Sequence, residues 1–272
     1  MKGPHLMDTP STQTPRTSVV VGGATGIGAA TTSRLLSLGD TVLVVDRVAP
    51  GPTGATYVEC DLLDEARVAQ VVEELPMGIG AVAYVAGIPG TRPAPDVLTV
   101  NFLAMRQFLQ ALSPKLLDGG AIVVVTSLSG AAWRGRRAAL APLLATSTVA
   151  EGVAWLEANP SDYPVYETSK EAAILFAKTC APTLWAGHRI RVNTVSPGPV
   201  ETGLLAEFEQ SYGKDELDGL RQTFGRHAVP DDIASVVTAV LSKDFGWVNG
   251  HDLQVDGGAM NTFDLAEDDS SA

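Results

Sequence analysis

From Thr17 onward the chain alternates short β-branched runs with longer alanine- and leucine-rich segments, and this alternation more than anything else limits the folds open to it. The strand-like runs fall at 18–21, 41–45, 56–59, 81–85, 121–127, 190–195 and 252–255. Several are apolar throughout, the pattern of strands covered on both faces. The helical segments between them are 26–37, 64–74, 95–117, 163–185 and 231–241. Strand and helix taken in turn predict an α/β fold, a parallel sheet with helices on both faces, and right-handed crossovers leave few topologies. With no internal repeat and no interior linker, the 272 residues read as a single domain.

The bulk properties exclude several partners. A formal net charge of −12 repels phosphate backbones and argues against nucleic acid. The short basic stretch "WRGRR" at 133–137 reads as a solvated helix face. No apolar run approaches the roughly 20 residues of a membrane span. Four scattered histidines and two distant cysteines give no metal-ligand spacing, so no metal is expected. Residues 1–16, polar and proline-bearing, read as a disordered leader and not a secretory signal. Cys60 and Cys180 are then expected to be reduced, buried thiols in a cytoplasmic protein. Residues 261–272 read as a frayed acidic tail.

"VVVGGATGIGAAT", residues 19–31, sets Gly22, Gly26 and Gly28 directly after the first strand, where the first helix opens. A helix N-terminus offers unpaired N–H groups and partial positive charge, which suit a pyrophosphate. A Cβ in the turn would hold phosphates off, and one at Gly28 would obstruct helix–strand packing. The second strand, "TVLVVDR", ends at Asp46, eighteen residues after Gly28. A carboxylate there can accept hydrogen bonds from an adenosine ribose diol; a surface turn acid is the bland alternative.

In "YPVYETSKEAA", Tyr166 and Lys170 stand one helical turn apart on one face. A tyrosine normally titrates near pH ~10. A close cation and a second positive charge beside the ring are together expected to lower that by roughly 3 units, which takes about 4 kcal/mol. Tyr163 has Glu167 four residues on in place of a cation, so Tyr166 is the better base. Ser127 falls at the C-terminal edge of the fifth strand, placed to donate to a substrate oxygen, with Ser129 and Thr126 as alternatives. Asn101, among apolar neighbours in "LTVNFLAM", needs partners for its amide. An ordered water leading to Lys170 would serve; a helix-bending structural asparagine is the alternative.

The spacing G-x-x-x-G-x-G, followed in order by the strand-two acid, "VAG" at 85–87, Asn101, Ser127, Tyr166 and Lys170, resembles the short-chain dehydrogenase/reductase family. The resemblance covers about residues 17–258, with "NTVSPGPVET", "VPDDIASVV" and "LQVDGG". Within the family the chain is most similar to bacterial 3α-hydroxysteroid dehydrogenase/carbonyl reductases, through "GGATGIGAAT", "SPGPVETGLL" and a long segment before the catalytic tyrosine. It implies a Rossmann-like, doubly wound, parallel seven-stranded sheet over residues 17–260, with a helical insertion at about 131–162. The insertion reads either as a cap or as a wall of the substrate pocket or subunit interface. Two departures stand out: Val21 where threonine is usual, and "AYVAG" without the usual asparagines.

The resemblance also implies a nicotinamide dinucleotide held by Gly22, Thr25, Gly26, Ile27, Gly28, Asp46, Arg47, Asp61, Leu62, Ala86, Gly87, Tyr166, Lys170, Pro197, Gly198, Val200 and Thr202. Asp61 would lie near the adenine, Pro197–Gly198 beside the nicotinamide, and Thr202 at its carboxamide. Asp46 repels a 2′-phosphate and Thr25, not a basic residue, precedes Gly26, so NAD (NADH) is expected over NADP, with Arg47 softening the preference. In the implied reaction Tyr166 exchanges the proton, Ser127 holds the oxygen, Lys170 acidifies the phenol and binds ribose, and Asn101 positions a relay water. Residues 203–227 are expected to form a substrate lid. There Leu204, Leu205, Phe208, Tyr212 and Phe224, with Ser129, suggest an apolar pocket, though core packing accounts for them equally. The expected activity is NAD-dependent interconversion of a hydrophobic secondary alcohol and its ketone, steroid-like, cyclic or aromatic. A cis-dihydrodiol dehydrogenase and a non-catalytic dinucleotide sensor are the alternatives. A homodimer or homotetramer is implied by the resemblance alone.

Overall fold

The β-branched runs pair edge to edge, all parallel, in a computed structural model that describes residues 15–51, 53–262 and 265, except the side chains of residues 212 and 216. The strands are β1 (Thr17–Val21), β2 (Thr41–Asp46), β3 (Thr56–Glu59), β4 (Ile79–Tyr84), β5 (Leu116–Val125), β6 (Arg191–Pro197) and β7 (Asp252–Val255). Their order is 3-2-1-4-5-6-7, so the winding direction reverses between β1 and β4. A crevice opens at such a reversal, beyond the carboxyl ends of the strands. The helices are α1 (Gly26–Ser37), α2 (Glu65–Glu74), α3 (Ala94–Leu98), α4 (Ala104–Leu112), α5 (Trp133–Leu144), α6 (Val149–Ala158), α7 (Val165–His188), α8 (Leu205–Tyr212), α9 (Lys214–Phe224) and α10 (Pro230–Leu241).

Because side chains alternate across a strand, each run of valines serves two cores at once. Val19 and Val21 pack with Val68, Phe108 and Ala173 in the layer of α2, α4 and α7. Val20, Val44 and Val123 pack with Leu35, Ile233 and Val237 in the layer of α1 and α10. That is why the runs lack polar alternation, and the fold is the expected doubly wound single domain.

Three expectations are corrected. The leader does not extend to Arg16, whose Nε and Nη2 donate to Asp40 Oδ2 at 3.0 and 2.7 Å and whose Nη1 donates to Leu241 O at 2.9 Å. The helix expected over 95–117 is broken. It runs as α3, a wide π turn over Thr99–Leu103, then α4, and ends in a tight turn at Ser113–Lys115. Pro114 lacks the N–H another helical turn would use, and Leu116 already pairs with Ile79 as strand. Cys60 is buried as expected, but Cys180 is only partly so; both are free thiols.

Residues 133–158 fold as two helices fastened to the body. The buried Arg106 guanidinium donates to Leu143 O, Thr146 Oγ1 and Thr148 O at 3.0–3.4 Å and lies over the Phe102 ring. On α6, a Cβ at Gly152 would come within 2.4 Å of Leu103 in the π turn. Of the basic stretch, Arg134 and Arg137 face solvent, but Arg136 is partly buried and pairs with the fully buried Glu171 at 3.2 Å.

The glycine turn is shaped by the chain's own close approach. Gly22 has φ +79°, and its Cβ would stand 2.6 Å from the backbone of Ala86, just after β4. At Gly28 a Cβ would stand 1.8 Å from Gly22 O. Backbone offers no rotamer to yield, so overpacking here exceeds the ordinary core cost. Gly28→Ala is therefore expected to cost at least about 2 kcal/mol, roughly 5 °C or more in Tm. Thermal unfolding reads this directly, and an unchanged Tm contradicts the close approach.

Candidate active site

The strand-end residues meet along one rim. Gly22 abuts Ala86, and Gly26, with φ +52°, faces the Thr202 methyl, 3.2 Å from where its Cβ would be. Asp46 Oδ2 accepts the Ala24 N–H at 3.0 Å and Oδ1 the Val48 N–H at 3.2 Å, so the β2 acid is tied into the glycine turn. Arg47 is exposed beside it. Cys60 N donates to Asp46 O, which sets the exposed Asp61 and the partly buried Leu62 next along the rim. Gly198 N donates to Val255 O, while Val200 bridges to Ala228. Pro197 closes β6, buried.

At the N-terminus of α1, Thr25 is the cap residue and makes no side-chain cap bond. The first helical N–H bonded within the turn is Ala29 to Thr25 O. The N–H groups of Gly26, Ile27 and Gly28 precede it, among the orphan donors that suit an anion. With Asp46 beside them and small residues at Ala86 and Gly87, these groups fit the pyrophosphate and ribose of a dinucleotide.

Tyr166 and Lys170 come from the first turns of α7 and are 7% and 5% exposed. The ammonium sits 5.5 Å from the phenol ring centroid. A Cβ at Gly87 would lie 3.2 Å from Lys170 Nζ and 3.3 Å from Asn101 Oδ1, so glycine there lets cation and amide converge. Asn101, 3% exposed, occupies the middle of the π turn. Its Oδ1 accepts Ile88 N at 2.8 Å, and its Nδ2 donates to Ile88 O at 3.0 Å and Ser169 Oγ at 3.1 Å. Ser169 Oγ in turn donates to Tyr166 O at 2.6 Å. Both amide hydrogens thus go to protein groups, and the partners the sequence left open are Ile88 and Ser169.

The electrostatics differ from expectation. Burial raises the Tyr166 phenol above its ordinary value, hydrogen bonding with Ser127 opposes the rise, and Glu167 adds to it. The expected acidification by Lys170 is not among these influences. Burial also acts on Lys170 itself, pulling it down to about 8. The protein alone therefore holds a protonated phenol beside a weakened cation. Tyr163 is not without a cation: Arg136 lies 4.2 Å over its ring, and its hydroxyl donates to Glu171 Oε1 at 2.6 Å. That commitment, with burial, raises its pKa and takes it out of the chemistry.

Of the three hydroxyls at the end of β5, Ser127 acts on the phenol, opposing the rise in its pKa. Thr126 turns into the sheet, toward Val195 O and Ser196 Oγ. Ser129 N donates to Ser127 Oγ at 3.2 Å. On the lid side, Phe208 packs edge-on against Tyr166, with centroids 5.5 Å apart. Leu204 and Leu205 are partly buried at the start of α8, and the Tyr212 side chain lies outside the described residues. Phe224 instead walls a cavity of about 280 Å³ behind Gly198 and Pro199, not over Tyr166.

Sequence reasoning missed Ser169, Ile88, and the Thr91, Arg92 and Glu207 group at the rim. Ser169 was legible as a hydroxyl three residues after Tyr166 on the same helical face. The others are joined only by the fold. Among the described residues no group of three or more His, Cys, Asp or Glu could hold a metal ion, and no helix is long and apolar enough to cross a membrane.

Comparison with known proteins agrees with this geometry. Residues 16–139 match the family model described as short chain dehydrogenase, and residues 141–260 the model described as Enoyl-(Acyl carrier protein) reductase. The coniferyl-alcohol dehydrogenase of Pseudomonas sp. (strain HR199 / DSM 7063) is 33% identical over 90% of this chain and 96% of its own. The 3-alpha-hydroxysteroid dehydrogenase/carbonyl reductase of Comamonas testosteroni is 29% identical over 88% of this chain and 95% of its own. The crystal structure of the 3-alpha-hydroxysteroid dehydrogenase from Pseudomonas sp. B-0831, complexed with NADH, superposes with TM-score 0.75. It is 26% identical over 90% of this chain and 98% of that one.

The buried lysine makes a stability prediction with a definite sign. Lys170 titrates at 10.5 unperturbed and at about 8 when folded, so below pH ~8 the folded state carries the full cost of a desolvated charge. That cost fades as pH rises from about 8 to about 10.5, where the lysine is neutral in both states. Lys170→Met is expected to raise the unfolding free energy by about 3 kcal/mol at pH 7 and by only about 1 kcal/mol at pH 9.5. Urea unfolding at the two pH values measures the difference; a gain that does not shrink contradicts it.

Proposed function

The chain belongs to the short-chain dehydrogenase/reductase family, oxidoreductases of alcohols and carbonyl compounds, and from that premise we propose that it interconverts a hydrophobic secondary alcohol and its ketone with NAD(H). The observation that carries the reading is a buried phenol, Tyr166, with the Lys170 ammonium 5.5 Å from its ring centroid and the Ser127 hydroxyl acting on its titration. Gly22, Thr25, Gly26, Ile27, Gly28, Asp46, Asp61, Ala86, Gly87, Pro197, Gly198, Val200 and Thr202 would hold the dinucleotide, whose nicotinamide supplies hydride exchange when bound. Ser127 donates to the substrate oxygen as negative charge develops there. Tyr166 passes its phenolic proton to that oxygen in reduction and takes it back in oxidation. Burial favours the protonated phenol, so reduction starts from the state the protein prefers, and oxidation needs added positive charge near the ring.

Asn101 and Ser169 act through Tyr166 and the 88–92 segment, fixing the phenol's backbone and the loop facing it. The Phe208 ring against Tyr166 supports an apolar substrate, as do relatives named for coniferyl alcohol and 3-alpha-hydroxysteroids. Asp46 supports NAD(H): its carboxylate is fixed by two backbone N–H groups beside the glycine turn, and next to an adenosine ribose held there it would repel a 2′-phosphate. A cytoplasmic location and a homodimer or homotetramer complete the proposal; light scattering measures the latter.

Tyr166→Phe is expected to lower kcat by at least about 100-fold while NADH affinity stays within a few-fold. Assays on steroid, cyclic and aromatic ketones, with NADH absorbance as readout, test this. Normal turnover in the variant refutes the assignment. The kcat/KM for NADH is expected to exceed that for NADPH by at least about tenfold, and Asp46→Ala to narrow the gap. A preference for NADPH in the unsubstituted protein overturns the cofactor reading.

A further inference from the structure

The rim of the cleft carries an ion pair that the proton and hydride chemistry leaves unused. Glu207 on α8 accepts a hydrogen bond from the Thr91 hydroxyl at 2.9 Å and another from Arg92 Nη2 at 3.0 Å. The two partners lie 116 and 115 residues away in sequence, on the segment that follows β4. Both ends of this clasp adjoin Tyr166. A Cβ on Gly90, just before Thr91, would stand 3.3 Å from Tyr166 Cβ. Phe208, just after Glu207, rests its ring on the Tyr166 ring. One carboxylate therefore joins the two segments that flank the phenol and neutralises the guanidinium between them. The Arg92 and Glu207 side chains are 51% and 26% exposed, so the pair is reachable from solvent at the edge of the segments that flank Tyr166.

We infer that Glu207 is a specificity-determining residue that reserves the cleft for uncharged substrates. The inference rests on the reading of this cleft as a carbonyl site. A carboxylate-bearing molecule entering by this rim meets a carboxylate already seated on Arg92, on a chain of net charge −12. Discrimination by a repulsive group of this kind rejects the wrong ligand without adding contacts to the right one. Remove the charge of Glu207 and the same guanidinium fork becomes a carboxylate receptor, since planar paired N–H groups match a carboxylate's oxygens.

The probes are 4-carboxybenzaldehyde and its uncharged counterpart methyl 4-formylbenzoate, titrated calorimetrically into the NADH-loaded unsubstituted protein, E207Q, E207A and the E207Q/R92A double variant. The acid is expected to bind the unsubstituted protein more weakly than the ester. In E207Q and E207A its affinity rises by about tenfold, the yield of one charge-assisted contact in a half-exposed site, and the double variant loses that gain. The ester controls for changes in lid opening, which move both ligands together. An acid affinity that does not rise, or a rise that survives loss of Arg92, overturns the inference. Turnover followed by NADH absorbance separates the two readings. A protein that leaves every uncharged carbonyl compound unreduced fails the carbonyl assignment, while the binding series still decides what Glu207 does.

Discussion

Burial of the Lys170 ammonium is the constraint around which the rest of the site is arranged. Desolvation is strong enough to bring the lysine down to about 8. A buried charge without a partner is strongly destabilising, and the packing of the surrounding backbone has to offset that cost. Gly87 gives the ammonium room that any side chain would take, and α7 holds the lysine one turn beyond the phenol it serves. The same dry environment raises Tyr166, so the pair is poised by exclusion of water more than by mutual attraction.

Fixing that backbone draws in elements far from the chemistry. Asn101 clamps both peptide groups of Ile88 and reaches Ser169, which bonds back to Tyr166 O. Asn101 can do so because a π turn, where Ala104 N reaches back to Thr99 O, turns it inward; such turns recur at functional sites. Onto that turn packs α6, through Gly152 and Leu103, and α6 is moored by the buried Arg106. The helices at 133–158 are therefore continuous with the support of Asn101, Ser169 and Tyr166, as well as a covering over α7.

Features set within a few helical turns were legible in the sequence, and those set by distant segments were not. Apolar runs gave away the sheet, since a strand buried on both faces cannot carry polar residues. Tyr166 and Lys170 were legible because a helix fixes which residues share a face. The break after Leu112 carried a local signal, Pro114, that the apolar residues on either side obscured, and only the pairing of Leu116 with Ile79 shows that strand follows at once. Arg16 looked like leader, since its partners Asp40 and Leu241 O lie 24 and 225 residues away. The pairing of Arg92 with Glu207 was invisible for the same reason.

By itself the sequence determined the alternating architecture, the glycine turn, and the identity and spacing of the Tyr166–Lys170 pair, all set by period, propensity and residue type within a few helical turns. Only the tertiary structure decided the direction of the Tyr166 shift, the opposing influence of Ser127 on it, and which peptide Asn101 clamps. Those depend on water exclusion and on contacts between segments tens to hundreds of residues apart. Desolvation is a property of everything packed around a group, and no local pattern encodes it.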